Sequence, residues 1–259
     1  MNYTITTFAA RPDLRAAREA LNSKGWPAFM LEDPVANRYW DWLYSHFAEY
    51  QLLMLDTDGQ LVAEGNSIPV PWAGTPEQMG DGWDWAIAAG VRSLSKGPPP
   101  TTLCALAITI DPAYRGQALS TPLVAGMKQL AATHSLDGLI APVRPSLKSL
   151  YPLTEIRRYV TWRQADGAPF DPWLRVHWRV GGVFLGVAPR SMVIPGTVAE
   201  WEGWTGLHFP DSGPYVVPGA LTPIMIDQAA DQGLYVEPNV WVWHAPDASS
   251  ASTPWMGAG

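Results

Sequence analysis

The chain has 259 residues, 47% of them hydrophobic, which suits a folded globular protein with a sizeable core, in one large domain or two small ones. A net charge of -7 and the lack of any Lys/Arg run argue against a general nucleic-acid binder, which needs clustered cations to neutralise phosphates. Cys104 is the single cysteine, excluding an intrachain disulfide and a thiolate zinc site, and no metal is expected.

In chain order, Tyr3 to Phe8 reads as a strand and Arg11 to Asn22 as a helix with Arg15, Arg18 and Glu19 outside. Asn37 to Tyr50 is a second helical stretch, rich in aromatics. Gln51 to Leu55 and Leu61 to Ile68 form a hairpin, because Asp58-Gly59 lies between two apolar runs. Asp84 to Leu94 is a helix, stopped by Lys96-Gly97 and the prolines after it. Leu103 to Ile110 is a buried strand ended by Asp111-Pro112. The turn Tyr114 to Ser120 then opens a helix from Thr121 to His134, and Leu139 to Val143 is the next strand. Leu174 to Val180 alternates apolar and polar residues before Gly181-Gly182, which predicts a strand and turn. Ser191 to Ile194, Tyr215 to Val217, Leu221 to Ile226 and Val240 to Trp243 are further strands, and Trp201 to Gly206 is a short helix ending in glycine. The expected fold class is α/β: a mixed central sheet flanked by helices, with additional C-terminal strands. Residues 1–160 form the core, 161–245 a strand-rich extension completing the same domain, and 246–259 a mobile tail. Met1 to Ile5 lacks the features of a secretory signal and no segment is long enough to span a bilayer, so a cytoplasmic enzyme is expected.

The turn Arg115-Gly116-Gln117-Ala118-Leu119-Ser120 carries the chemistry. Free N–H groups at a helix N-terminus, with the positive end of the macrodipole behind them, suit a pyrophosphate. Gly116 permits the turn, and small Ala118 and Ser120 let phosphate oxygens approach. This turn between the strand at Leu103 and the helix at Thr121 resembles the pyrophosphate loop of the GNAT acyltransferase superfamily, Gln/Arg-x-x-Gly-x-Gly/Ala. Arg115 matches its first position, while Ala118 and Ser120 stand where the pattern most often has glycine, and glycine or alanine. Leu139 to Val143 then looks like the family's fifth strand and Arg144 to Tyr151 like the start of its fourth helix.

The resemblance implies transfer of an acyl group, most simply acetyl, from coenzyme A to a small-molecule amine. Ile108, Thr109 and Ile110 would pair with the pantetheine amides, and Arg115, Gly116, Gln117, Ala118, Leu119 and Ser120 would hold the pyrophosphate. Tyr151 falls where many members carry a tyrosine that protonates the departing thiolate. A glutamate found on the fourth strand of some members is replaced here by Cys104, a poor base among apolar neighbours. Two other readings stand beside this one: an acyl carrier protein as donor, or a non-catalytic protein that binds a metabolite or partner. Neither a nucleic acid nor a membrane is an expected partner.

Four side chains outside the turn are weighed as well. Asp84, between Trp83 and Trp85, could hold a cationic amine, though Asp81 or Asp84 capping a helix is the favoured reading. Glu64 could act as a base, but is expected on the solvated face of its strand. His177 and His244 are expected to be structural. Trp26, Trp40, Trp72, Trp83 and Trp85 precede the turn, where the superfamily it resembles commonly builds its acceptor site, which implies an aromatic or apolar acceptor.

Overall fold

The computed structural model describes residues 3–22, 25–72 and 74–245; the expected tail, 246–259, lies outside the described residues. The chain runs β1 (Thr4–Thr7), α1 (Arg15–Asn22), α2 (Pro34–Tyr39), α3 (Trp42–Ser45), β2 (Leu52–Leu55), β3 (Leu61–Val70), α4 (Trp83–Ser93) and β4 (Thr102–Ile110). It continues through α5 (Ser120–Thr133), β5 (Leu139–Val143), α6 (Ile156–Tyr159), α7 (Pro172–Arg179), β6 (Val183–Gly196), α8 (Val198–Thr205), β7 (Gly213–Tyr215), β8 (Ile224–Asp227) and β9 (Gln232–His244). The strands form one nine-stranded sheet in the order β1-β2-β3-β4-β5-β9-β8-β7, with β6 paired to β9. Among the described residues only β4 and β5 run parallel. This is the mixed α/β sheet with added C-terminal strands that the sequence predicts.

Alternation along the strands sorts residues onto two cores. Leu52, Met54, Val62 and Leu103 pack under α5 with Leu123, Val124 and Met127. On the opposite face Leu53, Ile68, Cys104 and Ile140 meet Tyr44, Ile87 and the aromatic residues of the α1 to α4 region. The hairpin between β2 and β3 turns as its Asp58-Gly59 predicts, with Gly59 at φ 77°. Asp56 Oδ1 accepts from the N–H groups of Asp58 (3.0 Å) and Gln60 (2.9 Å).

Several expectations are corrected. Leu174 to Val180 is helical, not a strand. Asp171 caps α7 by accepting from the N–H groups of Trp173 (2.9 Å) and Leu174 (3.2 Å), and Pro172 occupies the first turn, where its missing N–H costs nothing. Asn37 to Tyr50 is not one helix. Gln51 is buried and donates from Nε2 to the carbonyls of Phe47 and Ser67 (both 2.8 Å), which draws the chain out of α3 and down onto the sheet.

Arg144 to Tyr151 is not the start of a helix; only a single 3₁₀ turn, Lys148–Leu150, forms. Asp171 captures the N–H groups of Ser146 (3.2 Å) and Leu147 (2.8 Å), and Pro152 disfavours the helical conformation at Tyr151. Arg18 is buried rather than outside, its guanidinium 3.7 Å from the centre of the Tyr44 ring. In the last third, β7 ends at Tyr215 and β8 starts only at Ile224, both displaced from the expected spans.

Candidate active site

β4 and β5 are in register over only two residue pairs, Leu103↔Leu139 and Cys104↔Ile140, and then part. The parting begins at a β-bulge. Ala105 faces Ser67 and Ala107 faces Asn66, leaving Leu106 unopposed on β4. The Leu106 carbonyl is held by the Trp83 indole N–H from α4 at 2.9 Å. Between the parted edges, Ala105 to Ile110 on one side and Ala141 to Arg144 on the other, lies a cavity of about 690 Å³. It crosses the sheet. One mouth is bounded by Arg115, Ser120 and Val124 at the start of α5 and by Trp173, Val176 and His177 of α7. The other is bounded by Asn22, Gly25, Trp26, Met30, Leu31, α2 with Trp40, Trp83, Met192, Glu237 and Asn239.

At the first mouth, Gly116 (φ 80°) and Ala118 (φ 58°) both adopt left-handed backbone. The turn is thereby shaped as a glycine-rich one would be, with alanine tolerating a conformation that favours glycine. It is tethered on two sides: Tyr114 Oη donates to Asp56 Oδ2 (2.9 Å), and Tyr3 Oη donates to Gln117 Oε1 (2.7 Å). Its amides stand at the N-terminus of the 14-residue α5, ahead of the helix's own hydrogen bonds.

The second mouth is aromatic and acidic. Trp40 and Trp83 stack with ring centres 6.2 Å apart. Behind them Asp33 caps α2 through the N–H groups of Val35 (2.9 Å) and Ala36 (2.8 Å), and Asp84 Oδ2 accepts from Val193 N–H of β6 (3.1 Å). Asp84 therefore ties α4 to β6 and does not cap its own helix, whose N-cap is Gly82. Burial and the charge of Asp33 push Asp84 up to about 8, and burial raises Asp33 as well. Glu237 is fully buried; its carboxylate accepts from Arg144 Nε (2.9 and 3.0 Å), Tyr235 Oη (2.8 Å) and Asn239 Nδ2 (3.1 Å). Arg144 neutralises Glu237, which leaves the Asp33–Asp84 pair as an uncompensated negative charge beside this mouth.

Of the residues singled out in the sequence, Ile108, Thr109, Ile110, Arg115 and Ser120 line the cavity, whereas Gly116, Gln117, Ala118 and Leu119 do not. The Leu119 side chain is buried in the core under α5. Tyr151 is not among the lining residues. It is 37% exposed, and its ring packs edge-on to Trp162 (4.9 Å) and Phe170 (5.9 Å). Its carbonyl accepts from the buried Lys148 Nζ (2.8 Å). Trp26, Trp40 and Trp83 line the cavity; Trp72 and Trp85 do not.

His177 Nδ1 and His244 Nε2 lie 2.9 Å apart, and burial drives both below the usual imidazole range, His244 to about 3. Such groups are weak bases at neutral pH. Cys104 is buried and its thiol is raised by desolvation. Glu64 is fully buried, not on a solvated face. Sequence reasoning missed Arg144, Glu237 and Asn239, whose only local signal is a charged or amide side chain inside or just after an apolar strand.

No family model matches the chain. Among solved structures, the loading GNATL domain of CurA from Lyngbya majuscula is similar with a TM-score of 0.62 at 16% identity, covering 95% of this chain and 98% of that one. The GphF GNAT-like decarboxylase in complex with isobutyryl-CoA gives 0.58 at 16% identity, covering 95% and 100%. At such identity the likeness establishes the fold. The arginine N-acetyltransferase avaD of Aspergillus versicolor is 34% identical over 274 residues, covering 93% of each chain. The chain belongs to the GNAT superfamily of N-acyltransferases. As a GNAT enzyme it has two departures: Ala118 at the usual glycine of the loop, and Cys104 where some members place a strand glutamate. The first keeps the glycine-like backbone. The second removes the base from that strand position, because a buried thiol does not ionise near neutral pH.

Proposed function

We propose that this GNAT enzyme moves an acetyl group from acetyl-coenzyme A to the amine of arginine or a closely related small cation. The observation that carries this reading is the cavity between parted β4 and β5, with Arg115 and Ser120 of the turn before α5 at one mouth and Trp26, Trp40 and Trp83 at the other. Donor and acceptor would enter from opposite faces of the sheet and meet beside the bulge at Leu106. The amides of Gln117 to Ser120 would hold the pyrophosphate, with Arg115 beside it. The unpaired edge at Ile108 to Ile110 would pair with the pantetheine amides, as an added strand does. Backbone N–H groups of the same edge would receive the oxyanion as the amine attacks the thioester. Trp26, Trp40 and Trp83 offer ring faces to a guanidinium, and the Asp33–Asp84 charge favours a cation there. The relative's named substrate, arginine, has that chemistry. Residues 161–245 supply Glu237, Asn239 and α7 to this cavity, and in this reading they complete one domain with residues 1–160.

Thiol release from acetyl-coenzyme A, followed with arginine and with leucine as acceptors, tests the reading. Arginine is expected to be preferred, and acetylated arginine should be visible by mass; no thiol release with any amine would overturn it. Replacing Ala118 by isoleucine puts a β-branched side chain at φ 58°. It is expected to weaken acetyl-coenzyme A binding about tenfold or more, because a β-branched side chain strains the left-handed backbone that alanine tolerates and crowds the turn amides. Ala118→Gly should keep the wild-type affinity, and calorimetry distinguishes the two. Unchanged binding in Ala118→Ile would place the pyrophosphate elsewhere.

The packing of Tyr151 outside the cavity gives a contrasting expectation. Tyr151→Phe keeps the ring contacts and should leave turnover within about twofold of wild type. A fall on the order of 10²-fold would restore this tyrosine as the acid that protonates the leaving thiolate.

A further inference from the structure

Behind the cavity wall, where α1 and α3 cover the sheet, lies a polar cluster that the donor and acceptor contacts do not use. Glu64 of β3 is at its centre, opposite Thr109 of β4 in the sheet register. Six polar atoms there are buried without a hydrogen-bond partner among the described residues: Glu64 Oε1, Asn66 Oδ1, Thr109 Oγ1, Asn22 Oδ1, and Nε and Nη1 of Arg18. The remaining contacts knit the cluster together. Tyr44 Oη donates to Glu64 Oε2 (3.4 Å), Asn66 Nδ2 donates to Tyr44 Oη (2.6 Å), and the Arg18 guanidinium lies over the Tyr44 ring.

Each buried polar group left unpaired costs about 1–3 kcal/mol, so water bridging these six atoms would stabilise the cluster. A buried water needs two to four polar partners, and this cluster offers them. Two of its members, Asn22 and Thr109, also line the cavity, and a Cβ at Gly25 of the same wall would lie 3.1 Å from the Thr109 methyl.

We infer that Glu64 is the proton acceptor of the reaction, reached from the acceptor amine through water held by Thr109 and Asn22. The inference rests on the acyl-transfer reading and supplies the base that Cys104 cannot. The acceptor enters as an ammonium, and one proton passes through water to the Glu64 carboxylate, leaving a neutral amine. The amine nitrogen forms the new bond to the thioester carbon, the carbon–sulfur bond breaks, and a second nitrogen proton ends on the thiolate. Glu64 then returns its proton to solvent.

The charged and titratable groups that face Glu64 are Arg18 from α1 and Tyr44 from α3; β4 presents Thr109 and β2 presents Leu53, which do not titrate. Burial, opposed by the Arg18 charge and the Tyr44 hydroxyl, puts Glu64 at about 7. A base in this range is ionised for half the enzyme at neutral pH and is strong enough to take a proton from water-relayed ammonium.

The test is the pH dependence of kcat/KM, with acetyl-coenzyme A and arginine, in the wild type and in Glu64→Gln. The wild type should rise with pH to a break near 7. Glu64→Gln should lower the plateau on the order of 10²-fold and lose that break, keeping only the rise set by the amine itself. Glu64→Asp should recover part of the rate. Acetyl-coenzyme A affinity and melting temperature, measured alongside, separate a lost proton path from a damaged fold. If Glu64→Gln does not fold, Thr109→Val decides: it keeps the shape and backbone of β4, removes the hydroxyl that holds water, and should cut kcat about tenfold with donor affinity unchanged. A break near 7 that persists in Glu64→Gln, or full turnover in Thr109→Val, overturns the proton path. A wild type that releases no thiol at any pH overturns the acyl-transfer reading instead.

Discussion

Arg144→Met is expected to lower the melting temperature by about 6–12 °C, from a loss of about 3 kcal/mol. The arginine side chain is 20% exposed but its partner, Glu237, is fully buried. Methionine fills the volume of the stem and leaves a carboxylate in the wall with only Tyr235 and Asn239 to solvate it. It also removes the bond from Arg144 Nη2 to the Gly219 carbonyl (2.6 Å), which pins the loop before β8 to the end of β5. Adding Glu237→Gln should restore most of the loss, because removing both partners leaves no buried charge. Thermal melts of the single and double variants check this. A single variant that melts within a degree or two of wild type would show that the pair does not hold the acceptor mouth together.

Gly82→Ala is expected to be at least as damaging, for a steric reason. A Cβ at this position would lie 2.3–2.5 Å from Oγ, Cα and Cβ of Ser191, and the glycine sits at φ 139°, which side-chain-bearing residues rarely adopt. The start of α4 would have to move away from β6. Two bonds depend on that approach: Trp83 N–H to Ser191 Oγ (2.8 Å), and the Trp83 indole N–H to the Leu106 carbonyl at the bulge (2.9 Å). Strain of this kind costs about 1–3 kcal/mol per feature, and here space and backbone conflict together. The expected result is a melting temperature at least 6 °C lower, taking about 2–4 °C per kcal/mol. In the fraction that folds, kcat should fall more than donor affinity, because the bulge edge is displaced while the turn at Ala118 is not. Equal loss of both, or loss of neither, would mean that Trp83 does not position the strand edge.

The strand, turn and helix around Arg115 to Ser120 were legible because their determinants are local. A buried apolar run, Asp111-Pro112 as a stop, Gly116 as a turn and an amphipathic helix follow one another within some thirty residues, and each acts on its neighbours. Where short-range signals conflicted, the reading failed. The stretch Leu174 to Val180 alternates like a strand, yet Asp171-Pro172 caps a helix there. The family resemblance implied a helix starting at Arg144 to Tyr151, yet Asp171 takes the amides of Ser146 and Leu147 that a helix would need.

The amino-acid sequence by itself therefore determined the strand–turn–helix unit and the mixed α/β class, since these follow from periodicity and backbone chemistry within a few residues. Only the tertiary structure decided which side chains surround the second mouth of the cavity and which carboxylates are buried. Arg144 meets Glu237 across 93 positions of chain, Trp83 meets Ser191 across 108, and Glu64 becomes buried because α1 and α3 fold over β3. Whether a carboxylate is a solvated surface group or a buried base depends on which distant element covers it, and that is set by packing of the whole sheet rather than by the residues on either side.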